Sequence, residues 1–246
     1  RNLSGMWQLM FPDVYTRYFD VPQNYQDDVG GEYFRYELEE LKAGLESIGG
    51  REITDEAIRN SIAVYNVNRQ LVRDVYEYRS AHPEQAPASE VYLLMRAGMV
   101  LPVEEHTEML RAYLGAARQE ERPLRDNCRI IVSGAFCEQP PLNLIKSIEM
   151  AGCYIVDDDY MLVNRWLLDE VSTDGDPLTN LARAFLHASA DTAAKYCDSE
   201  EEVGKQLLES VEHFDAEGVI FSAASFCDPA LLERPMLTDK LADKDI

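Results

Sequence analysis

Three short apolar runs constrain this chain more than any other feature: Arg129-Ile130-Ile131-Val132, Tyr154-Ile155-Val156 and Val219-Ile220-Phe221. None of them alternates polar with apolar, and helix-period segments fill the intervals. An alternating strand keeps one wet face, whereas a continuously apolar one is covered on both. Strand and helix in turn, with that patterning, require a parallel sheet with helices on each side. The second half of the chain is therefore read as an open α/β domain. Its punctuation agrees. The helix at 142–150 is closed by Gly152, and Asp176 is an N-cap ahead of Pro177 at the first helical position, opening Leu178, Leu181, Phe185 and Leu186. Ser199-Glu200-Glu201-Glu202 forms a capping box before Val203, Leu207 and Val211, and Asp228-Pro229 opens a last helix.

Upstream the period is helical. Leu3, Met6, Trp7 and Met10 mark a helix, followed by a predicted short strand over 16–21 that Pro22 ends by withdrawing a ladder donor. Tyr33, Tyr36, Leu38, Leu41 and Leu45 form one stripe closed by Gly49-Gly50. Thr54 then sits at an N-cap with Asp55 and Glu56 in the first turn, ahead of Ile58, Ile62, Tyr65, Arg69 and Val72. A break over 82–88 precedes two more helices around 92–99 and 104–114. The expected division is 1–24, a remnant of a first α/β domain; 25–125, helical; and 126–246, α/β. The chain opens on Arg1 and stops at Ile246 just past a helical run, and is read as a piece of a longer polypeptide.

Lys and Arg number 23 against 45 Asp and Glu, a formal net charge of −22. Such a chain repels phosphate backbones and anionic membrane surfaces, so neither nucleic acid nor membrane is an expected partner. No stretch approaches the roughly 20 apolar residues of a membrane span. The five cysteines include no C-x-x-C, which excludes a zinc ribbon and a local ferredoxin-type motif, and they read as mostly reduced thiols of a cytoplasmic protein. The chain also lacks G-x-G-x-x-G, a P-loop, G-x-S-x-G and H-E-x-x-H.

Ligands of open parallel sheets sit beyond the carboxyl ends of the strands. That rule selects the loops 133–141, 157–160 and 222–229. Cys137 and Cys227 fall in them, each in a Phe-Cys-acid sequence; Cys128 and Cys153 sit at strand beginnings, on the wrong edge, and Cys197 follows a helix. Cys227 precedes Asp228-Pro229 and so lies near the positive end of a helix, which favours thiolate, the form a metal or cluster requires. A buried thiol closing the strand fits the same pattern, and one cysteine holds no cluster alone. Cys137 either ligates, lines the crevice or fills space; Glu138 and Gln139 either orient a substrate or face water. Asp157-Asp158-Asp159 is read as a solvated strand end rather than a divalent-cation site, His106 as a surface histidine rather than a proton donor, and His187 as structural.

Several stretches carry a resemblance: 1–7 (Arg1-Asn2-Leu3-Ser4-Gly5-Met6-Trp7), 19–25, 92–98, 134–142, 154–165 and 225–235, which contains Ser225-Phe226-Cys227-Asp228-Pro229. Over essentially its whole length the chain resembles the benzoyl-CoA reductase and 2-hydroxyacyl-CoA dehydratase family, nearest to the C-type catalytic subunits of its ATP-dependent reductase branch. The resemblance implies two Rossmann-like domains with helical additions, and a [4Fe–4S] cluster held on three dispersed cysteines. One of these is Cys227; two lie in a first domain that this sequence lacks, along with the closing strand and helix, so the chain is a truncated part of a two-domain subunit. It further implies a homologous second catalytic subunit and a two-subunit ATPase fed by reduced ferredoxin, with benzoyl-CoA dearomatised to a cyclic dienoyl-CoA. Phe136, Cys137, Glu138 and Gln139 are then the expected lining of the substrate cavity. Two alternatives stay open: a 2-hydroxyacyl-CoA dehydratase subunit using a recycled electron, and a non-catalytic α/β scaffold.

Overall fold

The computed structural model describes residues 2–133, 140–159, 169–191, 204–244 and 246. In chain order the elements are α1 (Asn2–Met10), a π-helical turn (Asp27–Gly31), α2 (Glu32–Gly49), α3 (Asp55–Ala81), α4 (Ala88–Ala97), α5 (Val103–Ala117), β1 (Cys128–Ser133), α6 (Leu142–Met150), β2 (Cys153–Asp158), α7 (Pro177–Asp191), α8 (Lys205–His213), β3 (Gly218–Phe221) and α9 (Asp228–Ala242). They form two compact units, one of residues 1–66 with 168–190, the other of 67–167 with 191–246.

The first unit is helical. Phe34 is its buried aromatic, with the Phe19 ring 5.4 Å away and the Phe185 ring 4.5 Å away. Its helix ends carry the expected caps. Gly50 takes a left-handed φ of +61° and donates its N–H to Glu46 O at 2.8 Å, a conformation glycine adopts without steric cost. Thr54 Oγ1 accepts the Ala57 N–H at 3.2 Å. Asp176 accepts the Thr179 N–H at 2.8 Å, and the Thr179 hydroxyl with Arg35 beside it holds that carboxyl below the ordinary carboxylate range. Asn66 Nδ2 donates to Val171 O at 2.8 Å and Oδ1 accepts the Val171 N–H at 3.0 Å, pinning that buried residue to α3.

One expectation fails here. Residues 16–21 form no strand. Phe19 packs on Phe34, and Thr16 O accepts from Gln8 Nε2 at 2.9 Å, so the segment lies against α1 and α2 and, among the described residues, bonds to no neighbouring strand. Aromatic and β-branched content favours a strand only where a ladder partner exists.

The second unit holds the parallel sheet, in the order β2-β1-β3. Helices cover both faces, as the continuous apolar runs require. Ile130, Val132 and Ile155 pack with Tyr92 of α4 and Ile145 of α6; Ile131 and Val156 pack with Val211 of α8 and Leu241 of α9. A separate apolar cluster joins Val72 and Val75 of α3 to Val91 and Leu94 of α4 and to Leu110 and Leu114 of α5. The capping box expected over 199–202 lies outside the described residues; α8 begins at Lys205 behind Gly204.

Candidate functional site

The carboxyl edge of the sheet is where this architecture presents a site. Backbone bonds carry the ladder just past the strand ends: Asp159 N–H donates to Val132 O at 3.2 Å and Ser222 N–H to Ser133 O at 2.6 Å. The Ser133 hydroxyl then donates to Asp159 Oδ2 at 2.7 Å. The loops after all three strands therefore leave from points fixed relative to one another.

Cys227 sits on this edge. It caps the N-terminus of α9, where its carbonyl accepts the Leu231 N–H at 3.1 Å, and it is buried, 5% exposed. Asp228 occupies the first turn. The thiol therefore stands at the N-terminal end of α9, the place on the sheet edge that the sequence pattern expects of it. An iron–sulfur cluster takes three or four such ligands. Among the described residues no group of three His, Cys, Asp or Glu side chains is close enough to hold a metal ion. Cys227 fits the role of one ligand, and the described residues do not complete the set. Phe136, Cys137, Glu138 and Gln139, like Cys197, lie outside the described residues.

Cys128 and Cys153 occupy the opposite edge as expected, facing each other across β1 and β2. Partial desolvation, with Glu217 and Cys153 nearby, pushes the Cys128 thiol above its ordinary value. A cavity of about 470 Å³ opens on this same amino side, among Pro83, Pro87, Arg125, Lys146 and Tyr154. It contains none of the residues expected at a site.

The acidic end of β2 is not solvated. Asp157 is 5% and Asp158 1% exposed, correcting the reading of 157–159 as a wet strand end. Asp158 accepts from Tyr76 Oη at 3.1 Å and from Arg79 Nη1 at 2.8 Å, with Arg79 itself 1% exposed. The guanidinium also lies over the Tyr76 ring, 4.2 Å from its centroid. Arg79 Nη2 is 3.8 Å from Asp157 Oδ1, so one cation serves two carboxylates. Burial, then the charge of Asp158, pushes the Asp157 carboxyl up to about 7, while Arg79 and hydrogen bonds pull against them. The shift in register between Ile130 and Ile131 of β1 sets Asp157 and Asp158 opposite Ile131 and Val132, and such irregularities re-aim side chains near sites. A signal existed upstream: Arg79 lies one heptad after Val72 on a buried stripe, where a charge needs a partner.

Both histidine readings change as well. His106 is buried, 5% exposed, between Leu94 of α4 and Asn68 of α3: Nε2 lies 3.1 Å from Leu94 O and Nδ1 3.0 Å from Asn68 Nδ2. That pairing suits the neutral tautomer protonated on Nε2, and burial lowers its pKa. His187, expected to be structural, has an exposed side chain, with Nε2 3.4 Å from Asp27 Oδ1.

The family model described as 2-hydroxyglutaryl-CoA dehydratase, D-component, matches residues 1–246. The chain is 66% identical over 246 residues to a benzoyl-CoA reductase subunit of Thauera aromatica, covering 100% of the chain and 64% of that protein. It is 29% identical over 249 residues to the beta subunit of (R)-2-hydroxyglutaryl-CoA dehydratase of Acidaminococcus fermentans, covering 98% of the chain and 64% of that protein. Against the beta subunit of lactoyl-CoA dehydratase of Anaerotignum propionicum the identity is 25% over 245 residues, covering 99% and 64%. The chain thus spans a little under two thirds of the length of these curated relatives.

Proposed function

The chain belongs to the 2-hydroxyglutaryl-CoA dehydratase D-component family, and from that premise we propose that it is part of a catalytic subunit of a benzoyl-CoA reductase. One observation carries the choice of reductase over dehydratase: 66% identity to a benzoyl-CoA reductase subunit against 29% and 25% to two dehydratase beta subunits. On this reading the whole enzyme is ATP-dependent and ferredoxin-linked. It adds two electrons and two protons to the aromatic ring of benzoyl-CoA, giving a cyclic dienoyl-CoA. A homologous second catalytic subunit and a two-subunit ATPase complete it, in the cytoplasm. No helix among the described residues is long and apolar enough to cross a membrane.

Cys227 would hold one iron of a [4Fe–4S] cluster whose other ligands come from outside this chain; when bound, that group supplies single-electron transfer. The buried thiol at the α9 N-terminus supports the assignment. The chain's own contribution is positional. Ser133 and Asp159 tie the origins of two loops together, and the first of these, with Phe136, Cys137, Glu138 and Gln139, is assigned to the substrate cavity. The anionic CoA tail needs local cations or helix N-termini, because the chain as a whole repels it.

The test is the ATP stoichiometry of the assembled enzyme with benzoyl-CoA. The reductase reading expects ATP consumed in proportion to dienoyl-CoA formed. Catalytic-only ATP, with an enoyl-CoA made from a 2-hydroxyacyl-CoA, would establish the dehydratase reading that the family description favours.

A further inference from the structure

The turn that leads into Cys227 runs against its own backbone preference. Ala224 to Cys227 close a four-residue turn through the Cys227 N–H and Ala224 O, 3.1 Å apart, and its third residue, Phe226, has φ +67°. Positive φ at that position suits glycine or asparagine; a bulky side chain crowds the following carbonyl. Among the described residues the ring finds little to pack against. It is 94% exposed, more than any other large hydrophobic side chain among the described residues. Strain and an exposed aromatic thus coincide at one residue on the sheet's carboxyl edge, next in sequence to the buried Cys227, and packing among the described residues accounts for neither.

We infer that Phe226 is a substrate-contacting, specificity-determining residue, whose ring packs against the aromatic acyl group of an aryl thioester. This rests on the aryl-CoA reading above. A ring that accepts electrons must approach the redox group closely, and adjacent Cα atoms are only about 3.8 Å apart. Phe226 is therefore an aromatic surface within one side-chain length of the residue assigned to iron. The left-handed conformation keeps that ring on the open side while the next residue turns inward. Aromatic pairs in offset or edge-to-face geometry give selectivity for an aromatic over an aliphatic acyl group.

The experiment uses the complete enzyme with Phe226→Gly, Phe226→Asn or Phe226→Tyr in the full-length subunit. Glycine and asparagine relieve the backbone and delete the ring; tyrosine keeps it. Expected are a roughly three- to tenfold rise in KM for benzoyl-CoA in the Gly and Asn variants, the range an aromatic contact supplies, with kcat less affected. Wild-type KM in the Tyr variant, unchanged iron content and a melting temperature equal to or above wild type complete the expectation. An unchanged KM in the Gly and Asn variants overturns the assignment. So does loss of co-elution with the second catalytic subunit, which makes Phe226 an interface residue, or a fall in melting temperature, which makes it a packing residue. A wild-type enzyme that does not reduce benzoyl-CoA refutes the aryl-CoA reading itself, whereas an active wild type with an indifferent Phe226→Gly refutes only this inference.

Discussion

At the end of β2 two carboxylates face one guanidinium, and burial makes their joint ionisation costly. Asp158 has the close contact with Arg79, so Asp157 is the group that takes up the proton, with its carboxyl near 7. The sign of the pH effect follows. Between the ordinary carboxyl value near 4 and about 7, the folded chain holds a proton that the unfolded chain has released, so stability falls as pH rises through that window. Asp157→Asn keeps the shape of the protonated acid and should flatten this slope, with little effect at pH 3 and a gain in stability that grows from pH 4 to pH 8. Denaturant midpoints measured across pH for both proteins check it; parallel slopes would reject it. This network is hard to see in the sequence, because Arg79 and Asp158 are 79 residues apart and a run of aspartates looks like a surface.

At the scale of elements, the packing of α4, α5 and α3 around His106 shows what a local pattern leaves out. Gly98 follows α4, and a Cβ there would lie 2.6 Å from His106 Cε1, so the close approach of the imidazole depends on the missing side chain. Gly98→Ala should therefore cost about 1–3 kcal/mol, the usual penalty for overpacking a closed site, read as a lowered midpoint in thermal unfolding with helix content otherwise retained. The helices themselves, with the caps at Thr54, Gly50 and Asp176, are legible because a cap depends on residues within one turn. The segment 16–21 misleads for the opposite reason: a strand is a property of a pair, and its partner is not encoded locally.

For the whole molecule the deciding question is whether Cys227 carries iron. Full-length subunit purified without oxygen should lose most of its iron and acid-labile sulfide on Cys227→Ala while keeping its helical signature; unchanged iron would favour the non-catalytic scaffold. By itself the sequence determined the parallel α/β half, the helical stretches before it and the sheet edge on which Cys227 lies, because periodicity, caps and strand-end loops arise from neighbours in the chain. Only the tertiary structure decided which charged groups are buried. The Asp157–Asp158–Arg79 network and the interior place of His106 each depend on segments brought together from further along the chain, and whether a polar group is desolvated is a property of its surroundings, not of its residue type.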